Sequence, residues 1–461
     1  MEERDFVIIG TGPAGLSAAV TAAELGMNVT VIGEDLLIGG QIFRQVLPPL
    51  EPQTRHIKAQ NENLFKKLNN ALVEAQNVDF LNKTLVWGIF DDKIISTDNK
   101  NHPLIKAKKL LIAEGAYETP VAFPGWTLPG VMSLGGAQIL LKSQGVIPQG
   151  KTLIAGTGPL LLYTASQLVK NGAHVIGVLE ASSFTQWMKW SLRLRRAPDL
   201  LWKGIQYLAV LKKHRIPVHY NHMIVSAEGR DFLEKITFAE TNDNWEPQTG
   251  TGKTLDIDTL CLNFGFTPST TFSHMAGCEH ECDSLLRGWA PKVNPKFETS
   301  KKGIFAAGDC TGIGGVKTAV LEGKIAATEA AAQLGVISKH KAHQSLSRLQ
   351  KAVSRLHWYQ DFLKEIYAFR FGLNQLLTSE TIICRCEEIE FKSILKTMET
   401  GEINLDKIKR QTRVSMGRCQ GRFCFPTLLG ILLNKFSPAE LQKEDFSARP
   451  PAKPLPLKEI V

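Results

Sequence analysis

Three glycines near the amino terminus constrain this chain more than any other feature. Phe6 to Ile9 are four consecutive apolar residues, the pattern of a strand buried on both faces. Gly10, Gly12 and Gly15 follow in a G-x-G-x-x-G frame, and Pro13 to Leu25 is Ala-rich and reads as a helix ended by Gly26. Val29 to Ile32 reads as a second strand, with Glu34 just beyond it. In such a unit Gly10 permits the turn out of the strand, Gly12 lets backbone press against a pyrophosphate, and Gly15 lets the helix approach the strand. The helix start at Pro13 and Ala14 aims N–H groups at the anion, and an acid at Glu34 can hydrogen-bond an adenosine ribose. A glycine frame alone also suits an ordinary βα turn. Strand, frame, helix, strand and acid together predict a dinucleotide-binding unit.

A second copy begins at Lys151. Thr152 to Ala155 reads as a strand, Gly156-Thr157-Gly158-Pro159-Leu160-Leu161 as the loop, and the helix runs to Lys170. Gly172 ends it, and Val175 to Leu179 leads to Glu180. Leu161 stands where a third glycine belongs, so helix and strand pack less closely and the approach of a nucleotide is altered. Two readings follow: an adenine nucleotide or NAD(P) bound here, or a degenerate unit kept as scaffold.

Other stretches complete a cofactor site. Gly39-Gly40 allows close backbone approach, and Gln41 and Arg44 could reach phosphate or ring oxygens; a turn followed by an amphipathic helix is the plainer reading. Leu110 to Ile112 reads as a buried strand ending at Glu114-Gly115, a turn of the sort that closes over a cofactor. Gly303 to Ala327 reads as strand, Gly308-Asp309 turn, and helix from Val316. Asp309 beside a helix N-terminus can hold a ribityl hydroxyl.

The 461 residues allow two to four domains. No apolar run approaches the roughly 20 residues of a membrane span. Glu2, Glu3, Arg4 and Asp5 precede the first strand and leave no room for a signal peptide, so a cytoplasmic setting is expected. There the eight cysteines read as ligands or buried thiols. The net charge of +9 comes without a long Lys/Arg run, which argues against nucleic acid.

Phe80 to Lys108 suggests short antiparallel strands, and Leu50 to Asn77 has helical spacing around Leu64, Leu68 and Leu72. Pro124, Gly125, Pro129 and Gly130 mark a crossing into new material. Between Trp187 and Arg215, Trp187, Trp190 and Trp202 alternate with Arg193, Arg195, Arg196, Lys212 and Lys213. That suits a partner or an anionic membrane surface, or else a solvated basic face over a local core. Cys278, His280 and Cys282, with His274, read as incidental. Ser338 to Gln375 reads as linker and amphipathic helix, with Leu346, Leu349, Val353, Leu356 and Phe362 on one side. Cys384-Arg385-Cys386 and Cys419 to Cys424 are two close cysteine pairs, each at a turn. Four thiolates at one point mean iron–sulfur or zinc, with buried thiols as the remaining alternative. Arg385, Arg410, Arg413, Arg418 and Arg422 crowd these pairs, which suits a cluster whose charge changes on reduction. The Pro-rich tail from Arg449 to Leu457 reads as a disordered or clasping end.

With these landmarks in place, residues 5 to 330 resemble two-dinucleotide flavoproteins of the disulfide-reductase class. The redox cysteine pair of that class is lacking there. Residues 381 to about 435, through C-R-C-E-E and T-R-V-S-M-G-R-C-Q-G-R-F-C, resemble the bacterioferritin-associated ferredoxin (BFD) domain. The whole order is similar to alpha-type subunits of heteromeric opine oxidases, dye-linked proline and hydroxyproline dehydrogenases, sarcosine oxidase and hydrogen cyanide synthase. The resemblance implies an α/β fold of two Rossmann-like domains plus a small all-α iron–sulfur domain. It divides the chain into a split FAD domain (1–120 and 266–335), an NAD(P)-type domain (121–265), a helical linker (336–380), a [2Fe-2S] domain (381–435) and a tail (436–461). It further implies FAD at Gly10, Gly12, Gly15, Glu34, Gln41 and Asp309, and a [2Fe-2S] cluster on Cys384, Cys386, Cys419 and Cys424. In that family a separate beta-type subunit oxidises the amine, and the alpha-type subunit passes electrons toward a quinone or dye. No catalytic acid or base stands out. The rival readings are a stand-alone NAD(P)H-dependent acceptor reductase and an iron-trafficking scaffold.

Overall fold

The computed structural model describes residues 2–47, 61–283, 285, 287–399, 405–441 and 448–456. Two parallel sheets organise it. The strand Glu2–Ile9 pairs in parallel with Val29–Ile32 on one side and Leu104–Ile112 on the other. Its inner half, Phe6 to Ile9, is at most 5% exposed, as a strand covered on both faces requires. Val78–Leu81 extends one edge, while Val86–Phe90 and Ile94–Thr97 form an antiparallel extension at the other. The strand Ile304–Ala306 returns from far along the chain to pair with Leu104–Ile112.

Three helices complete this unit. Pro13–Glu24 lies against Gly315–Gln333 so closely that a Cβ at Gly323 would come within 2.1 Å of Ala14 O. Glu62–Glu74 buries Leu68 and Leu72, as its spacing predicts; residues 50 to 60 of the expected polar stretch lie outside the described residues. Their apolar faces join Phe6, Ile8, Val29 and Val31 in one core.

The second sheet carries Thr152–Gly156 at its centre, between Val175–Glu180 and Thr259–Asn263. A separate antiparallel sheet, His222–Glu228 to Lys253–Asp256, covers it. Two strands, Ala116–Glu118 and Phe266–Pro268, pair antiparallel where the chain passes between the units.

The linker is two helices instead of one amphipathic stripe. Lys339–Ser354 turns Leu346 and Val353 into the first unit's core, while His357–Ile366 turns Phe362 toward Trp190. Beyond it a short hairpin, Ile382–Cys384 with Ile389–Glu390, precedes the helices Phe391–Glu399, Leu405–Thr412 and Phe425–Leu432. Ile383, Ile408 and Leu428 of this segment share one continuous core with Phe123, Trp126, Ile236 and Leu260 of the second unit. The indole Nε1 of Trp126 donates to Ile382 O at 2.6 Å across that junction. Among the described residues, no helix is long and apolar enough to cross a membrane.

Candidate cofactor sites

The three glycines of the first loop divide their work. A Cβ at Gly10 would lie 2.2 Å from Ala113 O and one at Gly15 1.9 Å from Gly10 O, so both are consumed by packing. A Cβ at Gly12 meets nothing within 4 Å. Gly12 therefore presents bare backbone to open space at the N-terminus of Pro13–Glu24, a cradle that fits a pyrophosphate. Gly40 forms one wall, where a Cβ would be 2.9 Å from Gly12 Cα, and Gly39 N donates to Thr11 O at 2.8 Å. Gly115, past the strand Leu104–Ile112, is likewise open. Gln41 is exposed beside this turn, but Arg44 is engaged with Asp35 at 3.2 Å and is not held free for a ligand. Glu34 is exposed and its carboxylate is paired with Lys453 of the tail, so the clasping reading of the tail holds for its described residues; Leu457 lies outside them.

At the Gly308-Asp309 turn, Asp309 Oδ1 accepts from Gly314 N (3.1 Å) and Gly315 N (3.2 Å), which caps the helix Gly315–Gln333. Part of the residue stays open, yet its carboxyl is surrounded by protein, and this burial raises its pKa. Glu322, about two turns into that helix, accepts from Gly308 N at 2.7 Å. Burial pushes its pKa up to about 8, so it keeps its proton at neutral pH. Sequence reading missed Glu322; the available signal was an acid in a helix otherwise rich in Ala and Gly.

The second loop is different. Gly156 is packed, since a Cβ would lie 1.7 Å from Asn263 O. Glu180 is 3% exposed, with Oε2 accepting from Gly158 N at 3.0 Å and Oε1 from Ser182 N at 2.9 Å; burial lifts its pKa to about 7. A Cβ at Gly158 would lie 2.6 Å from Cε1 of Tyr367. To the two readings of this loop, nucleotide site or scaffold, the structure adds one fact: an aromatic ring from the linker stands beside Gly158. Leu161 is fully buried in the second core.

The four cysteines meet as two pairs. Cys384 closes the strand Ile382–Cys384 and hydrogen-bonds with Cys424, while Cys386 hydrogen-bonds with Cys419. The bond with Cys424 lowers the Cys384 pKa to about 6 against the effect of burial, and backbone N–H groups of Ser415, Glu387 and Cys386 assist. Cys424 is raised correspondingly, first by Cys384 and then by burial. The pairing thus favours ionisation of Cys384, and the thiolate is the form that binds metal. Two thiol pairs suit a two-iron cluster, in which each iron takes two protein ligands. Arg385 and Arg418 are exposed, Arg413 pairs with Glu387 at 2.9 Å, and Arg422 Nη1 donates to Cys419 O at 3.3 Å.

The loop Cys419 to Cys424 abuts the strands that join the two units. Gln420 and Arg422 line a small cavity together with Tyr117, Thr267, His274 and Trp289. Arg422 acts electrostatically on Glu114 and Tyr117, which flank Gly115. Glu114 is held by Ser269 Oγ (2.9 Å) and Phe272 N (3.2 Å).

The basic insertion forms the helices Phe184–Arg193 and Pro198–Lys213. Trp190, expected at a partner surface, is 1% exposed, and its Nε1 donates to Glu365 at 3.1 Å. Its large flat side chain anchors the linker helix, an apolar contact that surface placement would forgo. The exposed apolar residues are Phe184, Met188, Leu192, Trp202, Ile205 and Leu208. Near the other cysteines, Cys278 donates to Thr299 Oγ1 at 3.3 Å and the His274 and His280 rings stack 3.5 Å apart.

Comparison with known proteins agrees with this geometry. Residues 4–335 match the model of the pyridine nucleotide-disulphide oxidoreductase family, and residues 382–433 that of the BFD-like [2Fe-2S] binding domain. The chain is 34% identical to hydrogen cyanide synthase subunit HcnB of Pseudomonas protegens, over 98% of this chain and 96% of that protein. It is 31% identical to an opine oxidase subunit of Agrobacterium tumefaciens, over 99% and 91% of the two chains. Its fold superposes on the crystal structure of L-proline dehydrogenase from P. horikoshii with a TM-score of 0.70 and 18% identity, covering 100% of this chain and 79% of that one. The chain belongs to the pyridine nucleotide-disulphide oxidoreductase family of flavin oxidoreductases, extended by a BFD-like [2Fe-2S] domain.

Proposed function

We propose that this chain is the electron-transfer subunit of a heteromeric amine- or amino-acid-oxidising enzyme. FAD would lie on the Gly12 cradle, held by Gly10 to Gly15, Glu34, Gly40, Gln41, Gly115, Gly308 and Asp309. Cys384, Cys386, Cys419 and Cys424 would hold the [2Fe-2S] cluster. The chemistry these groups supply when bound is two-electron acceptance at the flavin and one-electron passage at the cluster.

The observation that carries the reading is the seating of the Cys419 to Cys424 loop on Tyr117 and Glu114, next to the open Gly115. A flavin and a cluster held at these residues would be neighbours in one chain. Arg422 adds positive charge beside Glu114 and Tyr117, and Phe423, 42% exposed, would offer an acceptor an apolar contact on the cluster loop. In this reading a beta-type partner oxidises the amine and electrons leave to a quinone or dye, with the protein cytoplasmic or peripheral to the inner membrane face. The opine oxidase relative is named for oxidation of an opine, which supports an amine substrate. The core shared by the cluster segment and the second unit counts against a detachable iron-trafficking module.

The test is anaerobic reduction. The complex co-purified with its partner should bleach at the flavin and gain a [2Fe-2S] paramagnetic signal with proline, sarcosine, glycine or an opine. The isolated chain should do neither. Oxidation of any of these by the single chain at the rate of the complex would place the substrate site in these 461 residues and overturn the proposal.

A further inference from the structure

The two glycine loops share a motif and have opposite surroundings. A Cβ at Gly12 would face open space, whereas one at Gly158, whose backbone turns the other way at φ +96°, would meet Tyr367, its ring 2.6 Å and its hydroxyl oxygen 3.0 Å away. The same side chain closes on Gly265, where a Cβ would lie 2.8 Å from Tyr367 Cβ and 3.1 Å from its ring, and the ring meets Phe266 edge-on at 5.8 Å. The Gly158 N–H, which a phosphate would use, is taken by Glu180. A pyrophosphate needs both bare backbone and free N–H groups at this glycine. At Gly158 the chain fills the first with an aromatic ring and the second with a carboxylate.

The ring is firmly placed. Glu365, two residues earlier, accepts from Trp190 Nε1 and from Gln186 Nε2 (3.0 Å) and pairs with Arg193. Lys364 pairs with Asp283 at 3.0 Å. On the far side Phe369 N donates to Leu285 O at 2.9 Å, and the Arg287 guanidinium lies 4.7 Å over the Phe369 ring. Tyr367 itself is 6% exposed.

We propose that Tyr367 is the specificity-determining residue of the second unit, sealing its loop so that the chain accepts one dinucleotide, in the first unit, and excludes NAD(P)H and adenine nucleotides from the second. This goes beyond the electron-transfer reading and stands whatever amine is oxidised. It assigns the exclusion of nicotinamide to a particular side chain.

The experiment uses the full FAD-loaded chain. Nucleotide released on denaturation is identified by chromatography, and NADH, NADPH and ATP are titrated by calorimetry. FAD alone should be released, and no nucleotide should bind below about 1 mM. Tyr367→Gly should retain FAD and bind at least one nucleotide tenfold or more tighter. Tyr367→Phe should remain closed, because the ring and not the hydroxyl fills the loop. Stoichiometric ATP or NAD(P) in the wild-type protein, or its binding at about 100 µM or below, overturns the proposal. So does a folded, FAD-containing Tyr367→Gly protein that gains no affinity. Should that variant not fold, the wild-type and Tyr367→Phe titrations still decide, and nucleotide binding by either refutes the seal. None of these readouts depends on amine turnover, so failure here is separable from failure of the electron-transfer reading.

Discussion

Lys453 pairs with Glu34 across 419 positions of sequence, tying the tail to the acid that follows the second strand of the first unit. Ala452, 1% exposed, donates its N–H to Trp87 O at 2.7 Å and fixes the tail on the strand Val86–Phe90. Ending the chain at Ala448 is expected to speed FAD release several-fold, followed as flavin fluorescence after dilution. An unchanged release rate would show that the tail does not retain the cofactor.

Gly12 and Gly15 should separate binding from folding. Gly12 has φ −79°, open to any L-residue, and free space beyond its Cα. Gly12→Ala is therefore expected to fold with near-normal stability and lose FAD affinity by about a hundredfold, because a methyl group occupies the pyrophosphate cradle. Gly15→Ala drives a methyl into Gly10 O and should yield little folded protein. Circular dichroism with flavin content distinguishes the two.

Glu322 predicts a pH dependence. Its folded pKa of about 8 lies above the unfolded carboxyl value, so the folded state binds more protons. The stabilisation is fully present below about pH 4.5 and is lost as pH rises through 8, on the order of a few kcal/mol in all. Glu322→Gln keeps an acceptor for Gly308 N and removes the ionisation. Thermal unfolding between pH 6 and pH 9 should fall less steeply in the variant than in the wild type.

Trp190 and Trp202 should behave oppositely. Trp190→Ala leaves a large cavity and removes one of the donors to Glu365, with an expected loss of about 3–5 kcal/mol. Trp202, 61% exposed, should change stability by less than about 0.5 kcal/mol when made Ala, yet weaken association with the partner subunit. Denaturant melts and pull-down of the co-expressed partner measure the two effects.

Cys384→Ser or Cys419→Ser should abolish the visible iron–sulfur absorption and acid-labile sulfide while FAD stays bound, since the core of the first unit is built without the cluster segment. One zinc per chain in anaerobically purified protein would contradict the assignment.

What was legible in the sequence was local. Strand, glycine frame, helix and strand lie within about 30 residues in each unit, and hydrophobic runs with turn glycines specify them. The antiparallel strands between Phe80 and Lys108 also matched their pattern, while the return of Ile304–Ala306 to the first sheet was implied by the resemblance to a split flavin domain and by no local spacing. Contacts between distant segments were not legible. Tyr367 on Gly158, Lys453 on Glu34 and Glu365 under Trp190 each join positions more than 170 residues apart, and nothing in the local spacing marks them. Trp190 was misplaced because an amphipathic helix shows where its stripe lies but not what covers it. The second loop looked ligand-ready because its glycines were retained; packing against the linker accounts for them equally well.

The core that runs unbroken from Phe123 to Leu428 ties metal supply to the fate of the whole polypeptide. Cys384 and Cys424 are members of that core, so a chain made without iron is expected to hold its second unit less firmly. In a cell short of iron, such chains are expected to be cleared by proteases before they accumulate as flavoprotein lacking its cluster. The abundance of the protein would then follow the iron status of the cell without any dedicated sensor.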